Sequence, residues 1–155
     1  MLHGNHRFDP GTFLVYVDSY DNGVMGGRYY QPIGKESGTF QSMMQFLLAA
    51  EQYMDTDNTP QSFHAVRTFS PIRSLSRGSG EEVLLKLGEI ATFSVHIMFR
   101  RSTTWQGSIT WLEEKKTQNF RSVLELMILI DSAIAKKEML LHSSRSNNIP
   151  LQKAE

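Results

Sequence analysis

Apolar and polar residues alternate from Thr12 to Tyr20, with Phe13, Val15 and Val17 in one phase and Leu14, Tyr16 and Asp18 in the other. A period of two sends one set toward a core and the other outward, so the pattern predicts a strand. Asn22-Gly23 follows as a hairpin turn, because both residues tolerate positive φ. A second strand is expected over Gly27–Ile33 and a loop over Lys35–Thr39. From Phe40 to Met54 the period changes to that of a helix. Residues 43, 44, 47, 48 and 51 form a stripe, which Phe46 and Ala50 widen.

The same order returns at a constant offset of 80 residues, without a gap. Thr12/Thr92, Phe13/Phe93, Val15/Val95, Gly27/Gly107, Lys35/Lys115, Phe40/Phe120 and Ser42/Ser122 are identical pairs. They sit at strand starts, a turn glycine and a helix start, which is where self-similarity carries structural weight. A strand is expected over Thr92–Arg101, a turn at 102–104 and a return strand over Trp105–Glu113. A charged turn at 113–116 follows, with a short third strand over Gln118–Phe120 and a helix over Arg121–Lys136. The reading is one α+β domain over residues 1–155, with two β-β-α repeats (12–54 and 92–134) forming one antiparallel sheet and the helices packed on one face. Gly27 and Gly107 enter the second strands at matched positions, where glycine marks a bulge, a close backbone approach or a positive φ.

Between the repeats, Thr59-Pro60 reads as a cap and first-turn proline for a short helix over Gln61–Phe69. Residues 70–80 (Ser-Pro-Ile-Arg-Ser-Leu-Ser-Arg-Gly-Ser-Gly) read as a linker. Glu81–Leu87 fits either a helical turn or an added strand. Residues 1–11 form a polar lead-in, and residues 139–155 a polar, flexible tail.

Composition narrows the functional classes. The 155 residues contain no cysteine, so disulfides, thiol catalysis and cysteine metal sites are excluded. The start has no basic-then-apolar pattern of a secretory signal, and the longest apolar run, Leu126–Ile130, is far too short for a span, so no membrane role is expected. These features fit a cytoplasmic protein. Net charge is zero, which argues against a dedicated duplex-DNA binder and offers little repulsion against self-association. No nucleophile elbow, phosphate-binding glycine loop, HExxH or dinucleotide fingerprint is present, so no enzyme and no cofactor is expected. Asp18–Gly23 fails as a calcium loop, because Tyr20 and Tyr29 occupy ligand positions. His3 and His6 read as solvated terminal residues, and His96 as a part-exposed strand histidine. Arg67, Arg73 and Arg77 read as a basic loop.

Phe99-Arg100, four residues, Trp105-Gln106-Gly107 and Trp111, then Phe120-Arg121-Ser122 and Leu124-Glu125-Leu126, form a distinctive series. It resembles a group of short bacterial proteins with the pattern F-R-x4-W-Q-G-x3-W and F-R-S-x-L-E-L, well over about a third of the chain. The resemblance implies a folded family and brings no chemistry with it.

Two surfaces are therefore candidates. Tyr29, Tyr30, Arg100, Arg101, Trp105, Trp111 and Arg121 are of the types enriched where proteins meet, which makes a protein partner the leading expectation. The same side chains could stack on single-stranded RNA, or the repeats could hold a nucleotide-like ligand between them; both are alternatives. On the second helix, Leu126–Ile130 cover every side, leaving Ile128 and Leu129 as the expected contact of a homodimer.

Overall fold

A computed structural model describes residues 8–57, 60–63, 65, 67–71, 78–79, 86–101 and 104–146. Strands β1 (Thr12–Asp21), β2 (Val24–Gln31) and β3 (Glu36–Phe40) lead into helix α1 (Met43–Asp57). A two-residue strand β4 (Gly78–Ser79) follows, then β5 (Ala91–Phe99), β6 (Gln106–Trp111), β7 (Lys116–Phe120) and helix α2 (Val123–Ser146). The fold is α+β, with one antiparallel sheet in the order β4-β3-β2-β1-β5-β6-β7. Each half is a meander of three strands followed by a helix; the sequence pattern predicts a third strand only in the second half, over Gln118–Phe120. The two meanders meet at β1 and β5.

The strand alternation decides which face is covered. Phe13, Val15, Val17, Phe93, Val95 and Ile97 point to the side on which both helices lie. At its centre the ring of Phe46 is fully buried against Phe13, Tyr29 and Phe40, with centroids 5.7–5.9 Å apart. The other face carries a smaller cluster of Leu14, Tyr16 and Tyr30, with Phe8 packed on it. There Arg28 stacks its guanidinium 4.9 Å from the Tyr16 ring and pairs with Asp18 at 2.7 Å. Its remaining donors reach the carbonyls of Lys86 and Leu87, tying the incoming segment to the sheet. Burial raises the Asp18 pKa, but the Arg28 hydrogen bond and the Glu89 amide outweigh it and hold the carboxyl below its usual range.

Details recur at the 80-residue offset. A bulge lies between Val17 and Ser19 in β1, and another between Ile97 and Phe99 in β5. Gly27 sits between Val17 and Phe40, and Gly107 between Ile97 and Phe120. Lys35 and Lys115, each preceding a third strand, both have φ of 52°. At the seam Phe13 pairs with Val95 and Val15 with Phe93, so each half offers the other the same two positions in exchange.

Several expectations change. Glu36–Phe40 is a strand, not a loop, because β2 supplies its hydrogen bonds despite poor intrinsic propensity. Residues 60–63, 65 and 67–69 form no helix. Gly78–Ser79, inside the expected linker, pair with Glu36 and Ser37. Asp55–Asp57 continue α1 instead of ending it, and residues 139–146 continue α2 instead of fraying. Residues 1–7, 58–59, 64, 66, 72–77, 80–85, 102–103 and 147–155 lie outside the described residues, with the expectations for His3, His6, the Thr59 cap, Arg73, Arg77, most of 81–87 and most of the tail.

The matched glycines owe their place to contact, not to φ. A Cβ on Gly107 would stand 1.9 Å from the His96 carbonyl oxygen, and one on Gly27 1.9 Å from that of Tyr16. Both obstacles are backbone, which cannot swing aside. Gly107→Ala and Gly27→Ala should each cost about 1–3 kcal/mol or more. Urea unfolding checks this, and an unchanged midpoint for both would remove the close approach as the reason for glycine.

Candidate functional site

The residues expected to form an aromatic, basic binding surface are mostly interior. Tyr29, Tyr30, Arg100, Trp105 and Trp111 are buried, while Arg101 and Arg121 are exposed. Alternation explains the tyrosines: Tyr29 faces the helices and Tyr30 the small cluster opposite. Trp105 and Trp111 flank and end β6 on its core side. A stacking platform for single-stranded RNA needs exposed rings, and neither indole provides one. Arg101 lies 5.5 Å from the Phe63 ring, and Arg121 bonds to Glu125 one turn along α2 at 3.1 Å. His96 is part-exposed, opposite Thr12 and Ser108.

Arg100 is the notable departure. Its side chain is 1% exposed. Nε donates to the Pro60 carbonyl at 2.8 Å, and Nη1 to Glu51 at 2.9 Å and Asp55 at 2.8 Å. The second oxygen of Glu51 accepts from Trp105 Nε1 at 2.6 Å. One carboxylate of α1 thus holds both the arginine that follows β5 and the tryptophan that precedes β6. At the position 80 residues before Arg100, Tyr20 stands next to last in β1, and it donates to Asp131 of α2 at 2.7 Å. Asp131 in turn stands 80 residues after Glu51. Each half's first strand is therefore latched to the other half's helix. The Asp131 hydrogen bond raises the Tyr20 pKa.

Exposed large apolar side chains are spread over several elements, and α2 carries five of them: Leu124, Ile128, Met139, Leu140 and Leu141. Ser122 caps it, accepting from the Glu125 amide at 3.1 Å. Leu126, Ile130, Ala133 and Ile134 form its buried side. Leu124, Ile128 and Met139 are exposed, and together with Ala135 they fall within about 60° on the opposite side. Leu129, expected at the same contact as Ile128, is instead half-buried against the core. Past Lys137, whose Nζ donates to the Ile90 carbonyl, α2 runs nine residues beyond the point that matches the end of α1. There Leu140 and Leu141 return to the helix side that Ile130 and Ile134 bury, but both are more than half exposed. No described residue covers them.

Among the described residues no three His, Asp or Glu gather as a metal site, and no helix is long and apolar enough to cross a membrane. Comparison with family models, curated proteins and solved structures yields no match for this chain.

The latch supports a quantitative test. Glu51, with a side chain 15% exposed, holds two buried donors, whereas Asp55 is 57% exposed and holds one. Among the described residues, Glu51→Ala leaves Arg100 with only the exposed Asp55 as a carboxylate partner and strips the Trp105 indole of its acceptor, so it should cost about 3–5 kcal/mol. Asp55→Ala should cost no more than about 1 kcal/mol. Chemical denaturation reads both, and equal losses would show that Arg100 does not depend on Glu51.

Proposed function

We propose that the chain is two copies of a β-β-β-α unit fused into a non-catalytic binding module, acting through a protein partner docked on α2. The support for two copies is the reciprocal exchange at β1–β5, the matched bulges and the crossed latches, which together have the form of a two-fold contact between subunits.

The observation that carries the docking reading is the end of α2. Its core stripe continues through Leu140 and Leu141 after the sheet has stopped, and Met139 extends the outer stripe. Apolar surface of this kind, contiguous along a helix, marks an interface. The partner that fits first is a second copy of this chain. It offers an identical projecting helix, so a two-fold axis sets stripe against stripe, and zero net charge adds no long-range repulsion. Ile128, on the opposite side of α2, and Leu129, half-buried against the core, lie outside that contact.

Light scattering at tens of micromolar should give twice 17.7 kDa. Leu140→Glu with Leu141→Glu should return the mass to one chain with the melting temperature nearly unchanged, whereas Ile128→Glu, on the opposite side of the helix, should leave pairing in place. A mass near 17.7 kDa for the unaltered protein would eliminate the homodimer.

A further inference from the structure

A cavity of about 220 Å³ opens between α2 and the β6–β7 edge of the second half. Its buried walls are Phe93, Ile109, Trp111 and Ala133, and the exposed Lys116 and Lys136 stand over them. Two of these walls have larger counterparts in the first half. The first-half counterpart of Ala133 is Tyr53, whose ring packs edge-on against Phe13 with centroids 5.8 Å apart and whose hydroxyl lies over Gly34. The counterpart of Ile109 is Tyr29, whose phenol lies over Gly38. Two tyrosine rings fill the first half; an alanine and an isoleucine leave the second open.

Three further features say what would fill it. Trp111 is only 9% exposed, yet its indole Nε1 has no hydrogen-bond partner. An unpaired buried donor costs about 1–3 kcal/mol, which a ligand acceptor would relieve. Lys116 and Lys136 crowd each other: Lys116 depresses the Lys136 pKa, and Glu114 only partly offsets it. An anion between the two ammonium groups would be held by both. Finally the volume matches about seven waters at ~30 Å³ each, below the roughly 300–1,000 Å³ of drug-sized sites. One ring with a short acidic arm fits.

We propose that this cavity binds a small aromatic carboxylate, its ring taking the place that Tyr53 fills in the first half and its carboxylate bridging Lys116 and Lys136. Ser132 and Gln118 line the same opening and can receive a ring hydroxyl. The site lies on the flank of α2 beside the docking stripe and stands or falls separately from it.

Three probes divide the ligand: 4-hydroxyphenylacetate carries ring and charge, 4-cresol the ring alone, and acetate the charge alone. Calorimetry on the full chain should give binding of the acid at least tenfold tighter than of cresol, with no heat from acetate. The Trp111 indole proton resonance should shift with the acid. Lys116→Gln and Lys136→Gln, both at exposed positions, should each remove most of the tenfold advantage while leaving cresol binding in place. Ala133→Tyr should abolish both. Equal affinity for acid and cresol, or an advantage that survives both lysine variants, would overturn the anionic assignment. No binding of any probe to the unaltered protein would overturn the site itself.

Discussion

Everything in this molecule hangs from the antiparallel seam between β1 and β5. Phe13 against Val95 and Val15 against Phe93 place four fully buried side chains at the middle of the sheet, beneath both helices. Each meander alone would have an apolar face too narrow to cover its helix and a first strand with an open edge. An unpaired edge is a liability, and joining the two edges removes both at once. The seam also fixes phase. A slip of one residue would turn Phe13 and Phe93 away from the helices and bring Leu14 and Ser94 in.

The crossed latches secure that seam at its ends by different chemistry. Arg100 with Glu51 is a buried ion pair sharing its carboxylate with Trp105, whereas Tyr20 with Asp131 is a hydrogen bond at the surface. A buried pair is expensive to desolvate and contributes little net stability, but it is costly to break. Its effect is therefore on specificity. It holds α1 at one position relative to the end of β5.

The halves differ most visibly in the side chains around the second helix. The seam, the bulges and the turn lysines keep their geometry at the common offset, and these are the parts that set strand register. The side chains around α2 do not. Tyr53 gives way to Ala133, Gln31 to Trp111 and Glu36 to Lys116, and α2 outruns α1 by more than two turns. The cavity with Lys116 and Lys136 at its rim and the longer, partly apolar helix both belong to the second half.

The sequence by itself determined the α+β class, the alternating faces of β1 and β5, the Asn22-Gly23 turn and the 80-residue correspondence. These depend on local periodicity and on residue types with strong conformational preferences, which is information carried within a few positions. It missed β3, because Glu36–Phe40 has little strand propensity and becomes a strand only when β2 supplies its partners. It also misplaced the surface. Arg100, Trp105 and Trp111 have the composition of an exposed recognition patch, and nothing local distinguishes an arginine that faces water from one that meets Glu51 across 49 residues of chain. Burial of a polar group is decided by which distant group arrives beside it. Only the tertiary structure brings those groups together, and only it reveals that an alanine at 133 leaves open the space that a tyrosine closes at 53.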